Sequence, residues 1–232
     1  MKAKIFLYPF VLFGLLFILT NNCKKESNSN LVSDIDGNIY DTVAIGTQVW
    51  LVENLNVTHY RNGDPIPNVT DSAEWVNLTT GAYCNYDNSS ANAEIYGRLY
   101  NWFAVNDSRN IAPIGWHVAT LDEWIILENY LGSDTVAGGK LKETGTIHWK
   151  SPNYGATNES GFTGLPGGSR SWGGIAVFKF SLMSKYGNWW TATGSDTDQN
   201  LAFMKELGYN YILVGGCDCP KLIGCSVRCI KD

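Results

Sequence analysis

The stretch GWHVATLDEWIILENYLG, Gly115 to Gly132, decides how this chain is read. Thr120 stands three residues before Glu123. This is the spacing at which a Thr hydroxyl and a Glu carboxylate satisfy each other's backbone amides at a helix start. Asp122 adds negative charge where the helix dipole is positive. Trp124, Leu127, Tyr130 and Leu131 then recur on one face, which predicts a helix of about three turns stopping near Gly132. His117, between Trp116 and Val118 just ahead of this cap, is expected in a hydrogen-bonded packing role.

Outward from that helix the pattern changes to short strands. TVAI and QVWLV, Thr42 to Ile45 and Gln48 to Val52, alternate around Gly46-Thr47, a two-residue hairpin turn in which Gly supplies the positive φ. Ile95, Leu99, Trp102 and Phe103 match one face of a second helix, with Gly97 as its weak point. Gly138 to Gly174 is rich in Gly, Ser and Asn and predicts loops with short ordered pieces. Strands are expected around Trp189 to Thr193, Tyr211 to Val214 and Ser226 to Ile230. Trp189 and Trp190 must then point to opposite faces. The sum is an α+β domain of antiparallel strands, two main helices and long irregular loops.

Five motifs occur in one order: DIDGNIYDTVAIGTQVWLVENL (Asp34 to Leu55), GWHVATLDEW (Gly115 to Trp124), GFTGLPGGSR (Gly161 to Arg170), YGNWWTAT (Tyr186 to Thr193) and SVRC (Ser226 to Cys229). In that order the chain resembles the Fibrobacter succinogenes major paralogous domain family from about Asp34 to Asp232. The resemblance implies a C-type lectin-like fold, with a more distant similarity to formylglycine-generating-enzyme domains. Those share a helix opened by Pro/Thr-Glu-Trp, a Gly-rich loop containing Arg, and a terminal aromatic-or-Arg strand. Residues 122–124 match the first of these, although Ala119 stands where Pro is usual. The family has no settled biochemical activity. It also often carries a cysteine where this chain has Ala112, as partner to the cysteine of SVRC. Cys229 must therefore pair elsewhere or stay reduced.

At the beginning, Lys2 and Lys4 precede a 16-residue apolar run, Ile5 to Thr20, followed by Asn21, Asn22, Cys23 and a polar stretch. A basic start, an apolar core and a polar exit describe a signal peptide. Crossing a bilayer takes ~20 apolar residues, so a retained anchor would be short. Cys23 resembles the lipid-modified cysteine of bacterial lipoproteins, although Asn22 departs from the Gly, Ala or Ser usual before it. The expected organisation is a lipoprotein signal peptide over 1–22, a lipidated tether over 23–32 and the family domain over 33–232. This places the protein at the outer membrane or cell surface. Removing Lys2 and Lys4 from 17 basic residues leaves 15 against 22 acids, a charge of −7. Such a chain lacks the basic footprint that phosphate backbones require, so nucleic acid is excluded as a partner.

Candidate chemistry is sparse. Cys84, Cys217, Cys219, Cys225 and Cys229 follow Cys23, an odd number. Cys217, Cys219, Cys225 and Cys229 are the disulfide candidates. Direct closure of Cys217 on Cys219 is expected to be strained, which favours pairing either of them with Cys225 or Cys229. A redox or copper-thiolate centre is the competing reading of the same four cysteines. Asp196 to Asn200 has oxygen ligands at alternate positions, but Leu201 and Leu207 stand where an EF-hand needs Gly and Glu. An acidic turn is the better reading, and no metal or other cofactor is expected, with calcium the one for which a candidate stretch exists. The lectin calcium motifs Glu-Pro-Asn, Gln-Pro-Asp and Trp-Asn-Asp do not occur. His59, His117 and His148 have no zinc spacing, and no catalytic motif is present. Gly167 to Gly174, GGSRSWGG, is flexible enough to present Arg170 and Trp172 for ligand binding, with Trp172 as a plug of the core under this loop the alternative of nearly equal weight. The expectation is a non-enzymatic surface domain binding a glycan, a peptide or another surface protein. The alternatives are a cysteine-dependent enzyme or a purely structural protein.

Overall fold

The computed structural model describes Met1 and residues 31–172 and 178–232. The signal segment, Cys23 and the tether as far as Asn30 lie outside the described residues, as do Gly173 and Gly174 of the expected binding loop. Along the chain, β1 (Leu31–Ser33) pairs with β2 (Ile39–Ile45), which turns back through Gly46 into β3 (Gln48–Leu51). Gly46 has a φ of +63°, as the hairpin reading requires. The ring of Tyr130 lies over it, so close that a Cβ would stand 2.8 Å away. Next come α1 (Ser72–Trp75), β4 (Tyr83–Cys84), α2 (Ser90–Tyr96), β5 (Leu99–Tyr100), α3 (Trp102–Val105) and β6 (Trp116–Val118). The second helix of the sequence reading is thus two short helices with a strand between them. Gly97, at φ +74°, ends α2 and passes within 2.9 Å, measured from an ideal Cβ, of the Leu55 carbonyl.

The helix expected after Thr120 is α4 (Leu121–Tyr130). The Thr120 hydroxyl accepts from the Glu123 amide at 3.3 Å, and the Glu123 carboxylate accepts from the Thr120 amide at 2.8 Å. Trp124, Leu127 and Leu131 are buried. A further helix, α5 (Asp134–Leu141), occupies sequence that reads as loop. Gly138 and Gly139 disfavour a helix by propensity, but here they admit foreign backbone. An added Cβ would meet the Leu213 carbonyl at 2.3 Å and the Gly155 carbonyl at 2.5 Å. Then follow β7 (Ser169–Trp172), β8 (Phe178–Ser181), β9 (Tyr186–Gly194), β10 (Leu201–Gly208), β11 (Val214–Pro220), β12 (Ser226–Val227) and β13 (Cys229–Lys231). β10 was not anticipated, and β11 begins where the expected Tyr211 to Val214 strand was to end. Gly-Gly-Cys-Asp-Cys is a poor strand former, held in place by its antiparallel register with β10 from Leu207↔Val214 to Leu201↔Pro220.

The first, five-stranded sheet has the order β1-β2-β3-β13-β6 and a four-stranded one β11-β10-β9-β12, while β4-β5 and β7-β8 form two-stranded sheets. β13 thus lies inside the first sheet, with Ile230 opposite Trp50 on one side and His117 on the other. The architecture is α+β, mostly antiparallel; the one parallel pair between named strands is β12 with β9. Trp189 and Trp190 point to opposite faces of β9, and both are buried because each face has its own core. Trp189 packs with Trp124 and Phe162, while the indole N–H of Trp190 donates to the Tyr100 carbonyl at 3.0 Å. Truncating a buried Trp costs ~3–5 kcal/mol, so these rings carry a large share of the stability. No helix of the described residues is long and apolar enough to cross a membrane.

Candidate functional site

The sequence motifs converge, but on a buried cluster. Arg228 of SVRC is buried and donates to the Leu51 carbonyl at 2.9 Å and the Phe162 carbonyl at 2.7 Å. Its Nε and Nη2 share Asn54 Oδ1 at 3.1 and 2.8 Å, and the same oxygen accepts the Trp189 indole N–H at 2.7 Å. The guanidinium also lies 4.1 Å from the centre of the Phe162 ring. Burial pulls the Arg228 pKa down to about 9. VENL, GFTG, NWW and SVRC therefore meet at one polar knot that is closed to a ligand. What those motifs encode is the fold.

The hairpin of β7 and β8 is the element that reaches solvent. Arg170, expected at the surface, is only 1% exposed. Its Nη1 and Nη2 donate to the carbonyls of Val69 at 2.7 Å and Thr70 at 2.9 Å, and its guanidinium stacks over Trp75 at 4.5 Å and Phe180 at 5.1 Å. A cation placed there is satisfied by backbone and rings rather than by a ligand. The Arg170 backbone also exchanges hydrogen bonds with Gly224, at 2.9 and 2.8 Å. Across the hairpin, Ser72 Oγ donates to the Phe178 carbonyl and accepts from its amide, each at 2.9 Å. The hairpin is thus fastened to the segment before β12 at Arg170, and to α1 at Phe178, the residue paired with Trp172.

Trp172, two residues beyond Arg170, is 61% exposed. Its ring meets Phe178 edge-to-face at 5.5 Å. The other eight of the nine tryptophans are buried. Arg170 and Trp172 therefore share a strand but not a role: the first anchors, the second is presented. Phe178 and Trp75 were missed as supports. The alternation Phe178-Lys179-Phe180 was a legible strand signal for the first, whereas nothing local places Trp75 under Arg170.

The cysteines depart from the expected pairing. Cys217 is bonded to Cys219 directly, and Cys84, Cys225 and Cys229 are free and buried. Residues two apart on a strand project from the same face, and their Cα atoms here lie 5.6 Å apart, within the span of a disulfide. Burial pushes the Cys84 thiol up to about 12, against the pull of Arg170, and likewise the Cys229 thiol, to about 12. Cys225 is raised further, with its Sγ 3.8 Å from Met204 Sδ. Neutral buried thiols are inert, so none of the three has the setting of a nucleophile.

Each histidine faces a carboxylate. His59 lies 2.5 Å from Asp36, His148 lies 2.9 Å from Glu143, and His117 bridges Asp232 at 2.7 Å and Glu123 at 2.8 Å. In the Asp196 to Asn200 turn, Asp198 Oδ1 accepts from the Asn200 amide at 2.8 Å and its side chain at 3.0 Å. Among the described residues no three His, Cys, Asp or Glu side chains assemble to hold a metal. A notch of 210 Å³ lies beside Ile35, Arg61 and Ile114. The Arg61 side chain there is already committed to the carbonyls of Ala112, Pro113 and Trp116.

Comparison with characterised proteins and with solved structures gave no match. The family model described as the Fibrobacter succinogenes major domain (Fib_succ_major) matches residues 43–231, a span that takes in the turn between β2 and β3, the capped helix, the buried Asn54–Arg228 knot and the Trp172 hairpin. The chain belongs to the Fibrobacter succinogenes major domain family.

Proposed function

We propose that this protein is a non-enzymatic recognition domain of the cell surface or outer membrane, anchored by a lipid on Cys23, which binds its ligand through the β7–β8 hairpin. The observation that carries the reading is the exposure of Trp172, the one tryptophan of nine that is not buried. An exposed indole held edge-on by Phe178 offers a flat apolar face at low entropic cost. Such a face stacks on a sugar ring or receives an apolar side chain of a peptide or a neighbouring surface protein. The buried Arg170 beneath it gives the hairpin a rigid base. A C-type lectin-like scaffold fits the short helices, the long connections and the placement of the last strand beside the first hairpin. The enzyme reading is less favoured, because the three free thiols are buried and raised in pKa.

Arrays of glycans and of peptides probed with the full-length protein test the reading, with Trp172→Ala in parallel. Binding by the parent that disappears in the variant at unchanged Tm supports it. A ligand retained by Trp172→Ala moves the site off this hairpin. The anchor is tested separately: Cys23→Ala should leave the membrane fraction, whereas an unmodified Cys23 found in membrane-bound protein by mass spectrometry refutes lipidation.

A further inference from the structure

We propose that the Cys217–Cys219 disulfide is a thiol–disulfide exchange centre, which accepts two electrons from a dithiol. This site is separate from the Trp172 hairpin and does not depend on its ligand.

The bridge has little structural work to do. It joins residues two apart that the β10–β11 ladder already holds, with Cys217 opposite Met204 and Cys219 opposite Ala202. A bridge stabilises mainly by closing a loop of the unfolded chain, and the constraint grows with loop length. This loop is about as short as a disulfide can close. Removing the bond therefore leaves β11 with its register and its partner strand.

Its surroundings suit exchange. Cys217 is exposed and Cys219 is 8% exposed, so an incoming thiolate meets one sulfur while the other stands behind it as the leaving group. Of the free thiols, Cys225 is buried against Met204, and Cys84 and Cys229 are buried as well, so none of them competes. β11 is an edge strand, paired to β10 on one side only among the described residues. A bare strand edge takes an extended peptide by backbone pairing. Gly215 and Gly216 precede Cys217 without side chains to obstruct it. A cleft of 290 Å³ lined by Leu121, Phe203 and Val214 opens beside the same strand.

The reaction balances as follows. One thiolate of the dithiol attacks Cys217 Sγ, forming an intermolecular disulfide as the Cys217–Cys219 bond breaks, and Cys219 leaves as a thiolate that takes up a proton. The second thiol of the dithiol loses its proton and attacks its own sulfur in the mixed disulfide, releasing Cys217, which is protonated in turn. The dithiol is oxidised by two electrons and two protons, and the cysteine pair is reduced by the same amount.

The test treats oxidised full-length protein with dithiothreitol, and separately with an extended peptide carrying two cysteines, then blocks thiols with N-ethylmaleimide and maps them by mass spectrometry. The expected result is loss of the Cys217–Cys219 bond with labelling of Cys217 at unchanged Tm, Cys84, Cys225 and Cys229 staying unlabelled and one substrate disulfide forming per chain. Faster reaction with the peptide identifies polypeptide dithiols as the source, and faster reaction with dithiothreitol identifies small ones. Offered glutathione disulfide, Cys219→Ser should be trapped as a mixed disulfide at Cys217, and Cys217→Ser, whose remaining thiol is buried, should not. A bond that resists dithiothreitol in the native protein while yielding in the unfolded chain overturns the proposal. So does reduction that melts the domain and labels Cys84, Cys225 and Cys229 as well.

Discussion

Asn54 and Arg228, 174 residues apart in the chain, are joined through one oxygen: Asn54 Oδ1 receives both Nε and Nη2 of the guanidinium, at 3.1 and 2.8 Å. The Asn54 amide nitrogen donates in turn to the Tyr96 carbonyl at 2.8 Å. The end of the first hairpin is thereby tied to the last strands and to the end of α2. Replacing Asn54 by Ala leaves a buried cation and the Trp189 N–H short of an acceptor. Hydrogen bonds to charged groups are worth ~1.5–3 kcal/mol, so Asn54→Ala is expected to lower stability by ~3 kcal/mol in denaturant titration. A change below ~1 kcal/mol would show that water replaces the carbonyl oxygen.

Arg170 and Trp172 should separate cleanly by mutation. Arg170→Ala removes the cation between Trp75 and Phe180 and leaves the Val69 and Thr70 carbonyls without two charge-assisted donors, each such hydrogen bond being worth ~1.5–3 kcal/mol. Trp172→Ala, at an exposed site, should change stability by less than ~1 kcal/mol. Thermal melts of the two variants check this ranking directly.

Thr120→Ala should cost ~1 kcal/mol by removing the acceptor of the Glu123 amide. Ser at this position should restore most of the loss, since it keeps the hydroxyl. An unchanged denaturation midpoint for Thr120→Ala would show that the packing of Trp124 and Leu127 fixes the helix start without the cap.

His117 predicts a pH dependence. Partial burial pulls its pKa down, but the hydrogen bonds it donates to the Asp232 and Glu123 carboxylates, and their charges, leave it raised above the ordinary value of 6.5. A raised folded-state pKa stabilises fully below the unfolded value, and that contribution is lost as pH rises through the folded value. Unfolding free energy should therefore decline as pH climbs from about 6.5 through the folded pKa. His117→Gln should flatten the decline, and an unaltered profile would assign it to other groups.

Elements set by local rules were legible before the structure. The Gly46 turn and the Thr120 cap each depend on residues a few positions apart, and both stand where the pattern put them. What was missed depends on distant backbone. α5 contains Gly138 and Gly139 because other segments press against it. It is held further by Lys142, buried just past its end, whose Nζ donates to the carbonyls of Tyr154, Gly208 and Tyr211 at 2.8 to 2.9 Å. Arg170 looked like a presented side chain because its Gly-rich surroundings suggested a mobile loop. The carbonyls of Val69 and Thr70 that bury it lie a hundred residues earlier. Trp172 was legible by residue type, while its exposure was not, since the other eight tryptophans are buried.

The position of β13 between β3 and β6 has a consequence for how the protein is made. Strands near the beginning of the domain cannot close their sheet until the final residues arrive, and such long-range pairing makes folding slow. A nascent chain in which Ile230 is still held by the ribosome lacks the piece that links Trp50 to the strand ahead of α4. The five-stranded sheet is therefore complete only once Cys229–Lys231 are free to pair. A polypeptide ending at Arg228 would lack that link and present its open sheet to proteases.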